Sequence, residues 1–380
     1  MTQQKKRLVN WSGAMGISAA HLTQTEDYFI EAVQEGVALH LTDHTYGLLP
    51  YGGISATPDD IQIRQHITDR IEIRVVRCNA VMPSGVRIAF NPTDDSEALV
   101  KTFTPAEDGR QDVTGWHVCI STDPYVRIPT GTLDPNEEPP RYPDVEPRYV
   151  LHVIPEGDLK SASLGGHYLS IGRIRRDGDR YMVAGDYIPP CISMRSHVEL
   201  MKYYNRLGQI FSDLEAHSKN IIAKVFDRHN ESTLAGDIAA LCRDMIRYLA
   251  SVYFGYRNKG MYYAPVDVLT CTAGLAHTVY ANLHFLPGPR KEELLKYFYE
   301  WEGITPGAIE SYLADLLSLE YEHTRIRSAM LCAERAMEML DELWRNLSRL
   351  EYIGQHRASL VVSHEFSDAR EPDTAWTVKN

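Results

Sequence analysis

Asp186-Tyr187-Ile188-Pro189-Pro190-Cys191-Ile192-Ser193-Met194 is the stretch at which this chain changes its pattern. The two adjacent prolines remove two backbone donors and disfavour helix in the residue ahead of them, so a strand is expected to stop here. Ser196-His197-Val198-Glu199 follows, with the form of a capping box: Ser196 accepts from the Glu199 amide while the Glu199 side chain reaches back. The segment reads as a rigid joint between a β part and an α part.

Working outward to the N-terminal side, residues 37–185 carry β patterns. Ile71, Ile73 and Val75 alternate with Glu72 and Arg74, as in a half-buried strand. Met82-Pro83-Ser84-Gly85 is a turn signal and Val86, Ile88 and Phe90 alternate after it, so 71–90 is expected to form a hairpin. Leu169 and Ile171 lead into Arg176-Asp177-Gly178-Asp179, and Tyr181 and Val183 lead out; Asp-Gly between alternating runs is a strong hairpin signal. Several short strands between turn clusters point to a sandwich or barrel, not to βαβ units. Residues 122–148 hold seven prolines and many acidic side chains, and read as a long extended surface loop, either a binding arm or a solvated excursion. Ahead of these, residues 1–36 contain Val9-Asn10-Trp11-Ser12-Gly13-Ala14-Met15-Gly16-Ile17, then His21 and a short amphipathic piece through Tyr28-Phe29. Trp11 and Met15 are placed to anchor in a partner or to pack on their own domain.

Outward to the C-terminal side the pattern is helical. Leu200, Tyr204, Leu207, Phe211, Leu214, Ser218, Ile221 and Val225 follow 4-3 spacing, a narrow apolar stripe. Further helices are expected from about Thr233 towards Gly255 and from Pro265 to Leu286, the latter stopped by Gly288-Pro289. Thr305-Pro306 opens another, with threonine as cap and proline in the first turn. The last helix repeats the 4-3 stripe with Ile326, Met330, Ala333, Met337, Leu340, Trp344 and Leu347. Such stripes suit the core of a bundle; two of them in one chain also suit packing between subunits. Residues 353–380 read as a polar tail with one β-prone run, Leu360-Val361-Val362.

The 380 residues allow two or three domains with ample core, and 44% apolar with 24% charged residues is ordinary for a soluble protein. A net charge of −12 argues against a general nucleic-acid or anionic-membrane binder, which needs clustered Lys and Arg. The basic cluster Lys5-Lys6-Arg7 is short and terminal, a solvated end. The six cysteines form no CxxC pair, and with no apolar leader or membrane-spanning run a reducing cytosol is the expected setting. The chain has no Gly-rich phosphate loop ending in Lys-Ser or Lys-Thr, no Gly-x-Ser-x-Gly elbow and no His-Glu-x-x-His helix. His40 and His44 lie four apart but in a strand end or turn. Glu320-Tyr321-Glu322-His323 contains one Glu-x-x-His step, which reads as a solvated helix start because di-iron bundles need a second copy. No catalytic residue, cofactor or metal is expected, and an enzyme would need a dispersed site.

Several motifs, in order, are similar to those of the TssK family, the trimeric baseplate subunits of bacterial type VI secretion systems. Trp11, Met15, Ile17, His21 and Gln24 to Asp27 match the family's spacing of tryptophan, Glu-Gly-Met, an aliphatic residue, Pro-Gln-His-Phe and a Gln/Asp-rich helix start. Gly13-Ala14 replaces the Glu-Gly pair, Ala19 the proline and Leu22 the phenylalanine. Tyr46-Gly47-Leu48 resembles the family's aromatic-Gly-Leu step. Cys78-Asn79-Ala80-Val81-Met82-Pro83-Ser84-Gly85 resembles its Cys-x-Ala-x-x-Pro-Asp-Gly hairpin, and Asp186 to Ile192 its Phe-Ile-Pro-Pro-Cys junction.

The resemblance implies an α+β multidomain chain. Residues 1–36 would be a partner-binding segment using Trp11, Met15, Ile17 and His21. Residues 37–190 would be a β-sandwich shoulder like that of phage receptor-binding proteins, 191–352 a helical-bundle neck that trimerises, and 353–380 a short tail. The trimer seam would draw on Leu200, Leu207, Phe211, Leu214, Met330, Met337, Leu340 and Trp344. The implied role is a non-enzymatic homotrimer, cytoplasmic and peripheral to the inner membrane. It would join the wedge proteins TssF and TssG to an envelope anchor, with no nucleic acid and no direct membrane insertion. The usual C-terminal head does not fit in the residues after 352, which implies a divergent anchor. The competing readings are a phage-type tail or adsorption adaptor that binds a host surface through its β domain, with 122–148 as the arm, and a hydrolase on the β domain.

Overall fold

The structure, a computed structural model, describes residues 5–50, 54–66, 70–91, 98–105, 113–159, 168–227 and 232–357. Among them one helix, α1 (Ala19–Ala38), is followed by ten strands and then by six helices. The strands are β1 (Gly47–Leu48), β2 (Ile61–Gln65), β3 (Ile71–Val75), β4 (Cys78–Val81), β5 (Arg87–Phe90), β6 (Leu99–Phe103), β7 (Gly115–Thr130), β8 (Asp144–Pro155), β9 (Tyr168–Asp177) and β10 (Arg180–Val183). The helices are α2 (Val198–Asp227), α3 (Thr233–Lys259), α4 (Pro265–Phe285), α5 (Gly288–Glu302), α6 (Pro306–Leu317) and α7 (Ile326–Arg349). The chain is thus mixed, with sheets in its N-terminal half and helices in its C-terminal half, as the change of pattern at Pro189-Pro190 predicts. Contacts divide it into two units. The first is Met1–Lys202 with Met261–Asp267 and Tyr321–Ala329; the second is Tyr203–Gly260, Val268–Glu320 and Met330–Asn380.

The first unit holds three antiparallel sheets, ordered β1-β4-β5, β10-β9-β7-β8 and β2-β3-β6. The alternation at 71–75 is a real strand with Ile71, Ile73 and Val75 fully buried. Its partners, however, are β2 and β6, not the residues after the turn. The hairpin at Met82–Gly85 joins β4 to β5 instead, closed by Met82 N donating to Val86 O at 2.9 Å. The β9–β10 hairpin forms as predicted, pairing Asp177 with Arg180 around Gly178 at φ 60°. Trp116, Val118 and Ile120 of β7 point into the core, where the Phe103 and Tyr181 rings lie 5.9 and 5.7 Å from that of Trp116. Gly172 of β9 leaves the space that the Ile61 side chain fills.

Two expectations fail in an instructive way. About half of 122–148 is strand and not loop: β7 and β8 stay paired out to Thr130 and Asp144, with a register shift between Asp123 and Arg127, and the loop is residues 131–143. Proline at a ribbon edge costs no ladder bond when its nitrogen faces away from the partner strand, so a proline-rich sequence can still be a strand. The capping box is also displaced. Ser196 bonds Ser193 through both the Ser193 amide (3.2 Å) and its hydroxyl (3.0 Å), and the Glu199 amide donates to His197 Nδ1 at 3.2 Å.

The second unit is helical. Along α2 the buried positions from 203 onward are Tyr203, Leu207, Ile210, Phe211, Leu214, Ser218, Ile221 and Val225, a wider face than the 4-3 stripe. Along α7, Met330, Ala333, Ala336, Met337, Leu340, Leu343, Trp344 and Leu347 are buried. A face this wide contacts more than one neighbour. Tyr204 of α2 stacks on Tyr256 of α3 at 5.0 Å, and the Tyr256 hydroxyl donates to Tyr204 O at 2.7 Å. Thr305 caps α6 by accepting from Ala308 N at 3.3 Å. Gly288-Pro289, expected only to stop a helix, opens α5, with the proline in its first turn where no donor is needed. After α7 the chain is pinned where Gly354 N donates to the Tyr297 hydroxyl at 3.1 Å. The expected Leu360–Val362 run lies outside the described residues.

Candidate docking surface and joint

The double-proline segment is held by β1 rather than by the strands nearest in sequence. Leu48 N donates to Pro190 O at 2.7 Å and Ile192 N donates to Leu48 O at 3.1 Å, which makes a parallel bridge between Leu48 and Cys191. Pro190 contributes only its carbonyl, the one hydrogen-bonding group a proline keeps. Gly47 has φ 113°, and a Cβ there would fall on the Pro190 carbonyl and 2.8 Å from Cys191 N. Only glycine combines that backbone angle with that approach. Ile188 and Cys191 are buried, and burial raises the Cys191 and Tyr187 acidities' pKa values well above their usual ranges, so both stay protonated.

A histidine cluster backs this joint. His323 is 4% exposed and sits between α6 and α7, not at a solvated helix start. Its Nε2 lies 2.9 Å from Tyr46 O and its Nδ1 lies 2.8 Å from the Tyr321 hydroxyl. A carbonyl only accepts, so Nε2 carries the proton and Nδ1 accepts from the tyrosine. Burial pushes the His323 pKa down, against the Tyr46 hydrogen bond, which keeps the ring neutral. His44 stacks edge-on to Tyr321 at 5.3 Å. On the β7–β9 sheet the His117 ring, 5.5 Å from that of Tyr187, has a pKa lowered to about 4 by burial and Arg173. His117 Nδ1 and the Tyr187 hydroxyl both bond Ser170 Oγ, at 2.9 and 3.0 Å. His323 and His117 are thus partnered, largely buried side chains that tie segments together.

The pocket lined by Leu48, Asp60, Arg77, Asn79, Tyr187 and His197 holds about 30 Å³, room for a water or two. Among the described residues no group of three His, Cys, Asp or Glu side chains could hold a metal ion, and no helix is long and apolar enough to cross a membrane.

The N-terminal residues lie on the surface. Trp11 is 47% and Ile17 74% exposed, while Met15 and His21 are half-buried. The Trp11 and His21 rings meet edge-on at 6.0 Å, and His21 Nδ1 accepts from Ser18 N at 3.3 Å at the start of α1. The structure therefore brings Trp11 and His21 together. Not one residue of α1 is buried. Its acidic side is turned to the protein: Asp27 pairs with Arg127 at 2.8 Å and with Lys6 at 3.3 Å, and Glu31 accepts from Lys6 N at 2.8 Å. Leu22, Phe29 and Val33 are left outward, 54%, 58% and 66% exposed. At 3.6 residues per turn these three fall within an arc of about 40°. The sequence signal for this face is the helical period that continues from Phe29 to Val33 and Val37.

The residues expected to form a seam between chains lie elsewhere. Leu200, Leu207, Phe211, Leu214, Met330, Met337, Leu340 and Trp344 are all fully buried within the single chain. A side chain with no accessible surface in one copy has none to bury against another.

The architecture defines a class: strands, a proline joint and long helices, with apolar side chains exposed at the N-terminal segment. No family model and no curated protein sequence matches the chain. Solved structures do. A crystal structure of TssK aligns with a TM-score of 0.53 at 15% identity, covering 89% of this chain and 69% of that one. A TssK-TssF-TssG baseplate subcomplex of the type VI secretion system aligns with a TM-score of 0.51 at 13% identity, covering 89% of this chain and 99% of the matched chain. The chain resembles TssK in fold, as its ordered motifs imply.

Proposed function

We propose that this protein is a structural, non-enzymatic baseplate subunit of a type VI secretion system. The observation that carries the reading is the fold shared with TssK over 89% of the chain, reached independently of the motifs that suggest the same family. The sheets of residues 37–190 act as a sandwich shoulder of the phage receptor-binding type, and the helices of 191–352 as a neck. The N-terminal segment, through Trp11, Met15, Ile17, His21 and the outward face of α1, contacts wedge proteins of the TssF and TssG type. The assembly is a homotrimer on the cytoplasmic face of the inner membrane, tied to an envelope anchor through partners rather than by insertion. Copies meet through side chains that one chain leaves exposed, such as Phe254 at 77%, since the two apolar stripes are already consumed in the core.

A shared fold does not by itself set function, so the test is binding. The chain is co-expressed with the TssF- and TssG-like proteins of its own genome, purified, and weighed by light scattering. A trimer alone and a complex with both proteins are expected, and Trp11→Ala with Ile17→Ser weakens the complex without lowering the melting temperature. A monomer that retains neither protein overturns the proposal.

A further inference from the structure

Beyond Asp123, β7 and β8 leave the sheet. The pairing of β9 to β7 covers only Gly115 to Ser121, so among the described residues the outer part of the β7–β8 ladder, from Arg127 paired with Pro147 to Thr130 paired with Asp144, has no third strand. A two-stranded ribbon is marginal in water unless one face is covered. Around Arg127 one face is braced by the N-terminal arm and α1: Arg127 pairs with Asp27, and Lys6 lies 4.2 Å over the Tyr125 ring, while Val145, paired with Pro129 farther out on that face, is left 55% exposed. Side chains alternate along a strand, so Ile128, next to Arg127 in the ladder, points the other way. Val126, within the register shift, and Ile128 are 42% and 46% exposed. Cross-strand partners share a face, which puts Glu146 opposite Ile128 and Asp144 opposite Thr130 on that same side. The open face thus combines aliphatic and carboxylate groups.

We propose that this open ribbon face is a docking surface for a protein segment that presents aliphatic side chains flanked by Lys or Arg. The charge decides the occupant. Residues 131–146 contain Asp134, Glu137, Glu138, Asp144 and Glu146 against a single base, Arg141, which is itself paired with Glu137. Such a face repels nucleic acid and anionic lipid, and a second ribbon laid on it would set carboxylates against carboxylates. Added-strand pairing is disfavoured too, because Pro129, Pro143 and Pro147 remove donors along the ribbon. Recognition therefore runs through side chains on the face. The inference rests on the first unit alone and does not depend on the baseplate reading.

The test uses the full chain and two synthetic 18-residue peptides with the same leucine stripe, one flanked by lysines and one by glutamates. Binding is read by fluorescence anisotropy at low and at physiological salt. The lysine peptide is expected to bind at least ~10-fold tighter than its twin, with the difference shrinking as salt rises. Val126→Ser/Ile128→Ser and Asp144→Lys/Glu146→Lys, all at exposed positions, each weaken it ~10-fold while circular dichroism and melting temperature stay unchanged. Equal binding of the two peptides, or binding indifferent to both double variants, overturns the proposal. So does co-sedimentation of the chain with phosphatidylglycerol vesicles that the variants abolish, or a self-association that they abolish, since either names a different occupant.

Discussion

Gly47→Ala puts the double-proline joint under direct test. Two costs add. An L side chain at φ 113° is strained by about 1–2 kcal/mol, and its Cβ falls on the Pro190 carbonyl, so β1 and the 189–192 segment must part. Parting them gives up the Leu48–Pro190 and Ile192–Leu48 hydrogen bonds, at about 1 kcal/mol each. Alanine recovers roughly 0.5–1 kcal/mol by restricting the unfolded chain. The expected net loss is about 3 kcal/mol, or roughly 6–12 °C in melting temperature for a unit of this size. Thermal denaturation followed by circular dichroism, with urea midpoints as a second measure, reads the effect. Gly36→Ala is the control: it lies inside α1, a Cβ there meets nothing within 4 Å, and a small gain is expected. If Gly47→Ala melts within 2 °C of the parent, the clamp between β1 and the prolines does not hold the joint.

Acid should loosen the start of α2. His197 is 2% exposed and burial lowers its pKa to about 4, against 6.5 when unfolded. Because the folded value is the lower one, stability is full above pH 6.5 and is lost as pH falls from there to about 4, by up to ~3 kcal/mol. Protonation also removes the Nδ1 acceptor for the Glu199 amide. Urea midpoints at pH 7 and 4.5 check this, and His197→Gln, which keeps an acceptor without titrating, should flatten the slope. Leu207→Asp and Met337→Asp, each placing a carboxylate at a position with no accessible surface, should cost more than ~4 kcal/mol and make the helical unit sensitive to limited proteolysis. A folded, protease-resistant protein that has merely changed its oligomeric state would return these residues to a seam between copies.

What the sequence made legible was mostly local. The two prolines mark the passage from sheets to helices, although the last strand already ends at Val183, and Asp177-Gly178 announces a hairpin because glycine takes φ 60° there without a side-chain clash. The partners of those elements were not legible. Nothing in Ile71–Val75 says that it pairs with β2 and β6, since alternation gives a strand its faces and not its neighbours. Tyr46-Gly47-Leu48 could be matched as a motif, but its reason, a carbonyl of Pro190 lying against the glycine, is a contact across more than a hundred residues.

The site was harder to read for the same reason, and in both directions. A 4-3 stripe reports that a face is buried without saying by which chain, and in α2 and α7 the answer is this one. In α1 the pattern is inverted: Asp27 and Glu31 turn inward because Lys6 and Arg127 wait there, and Phe29 and Val33 are left outside. Burial normally sorts apolar groups inward, so a helix that spends its charges on its own protein and offers its apolar side to solvent is incomplete as it stands. The same logic applies to the ribbon of β7 and β8, where Arg127 faces in and Ile128 faces out. Two neighbouring elements, joined where Arg127 pairs with both Glu26 and Asp27, thus share the sign of a surface made to be covered, and that sign becomes visible only with the basic partners from distant parts of the chain in place.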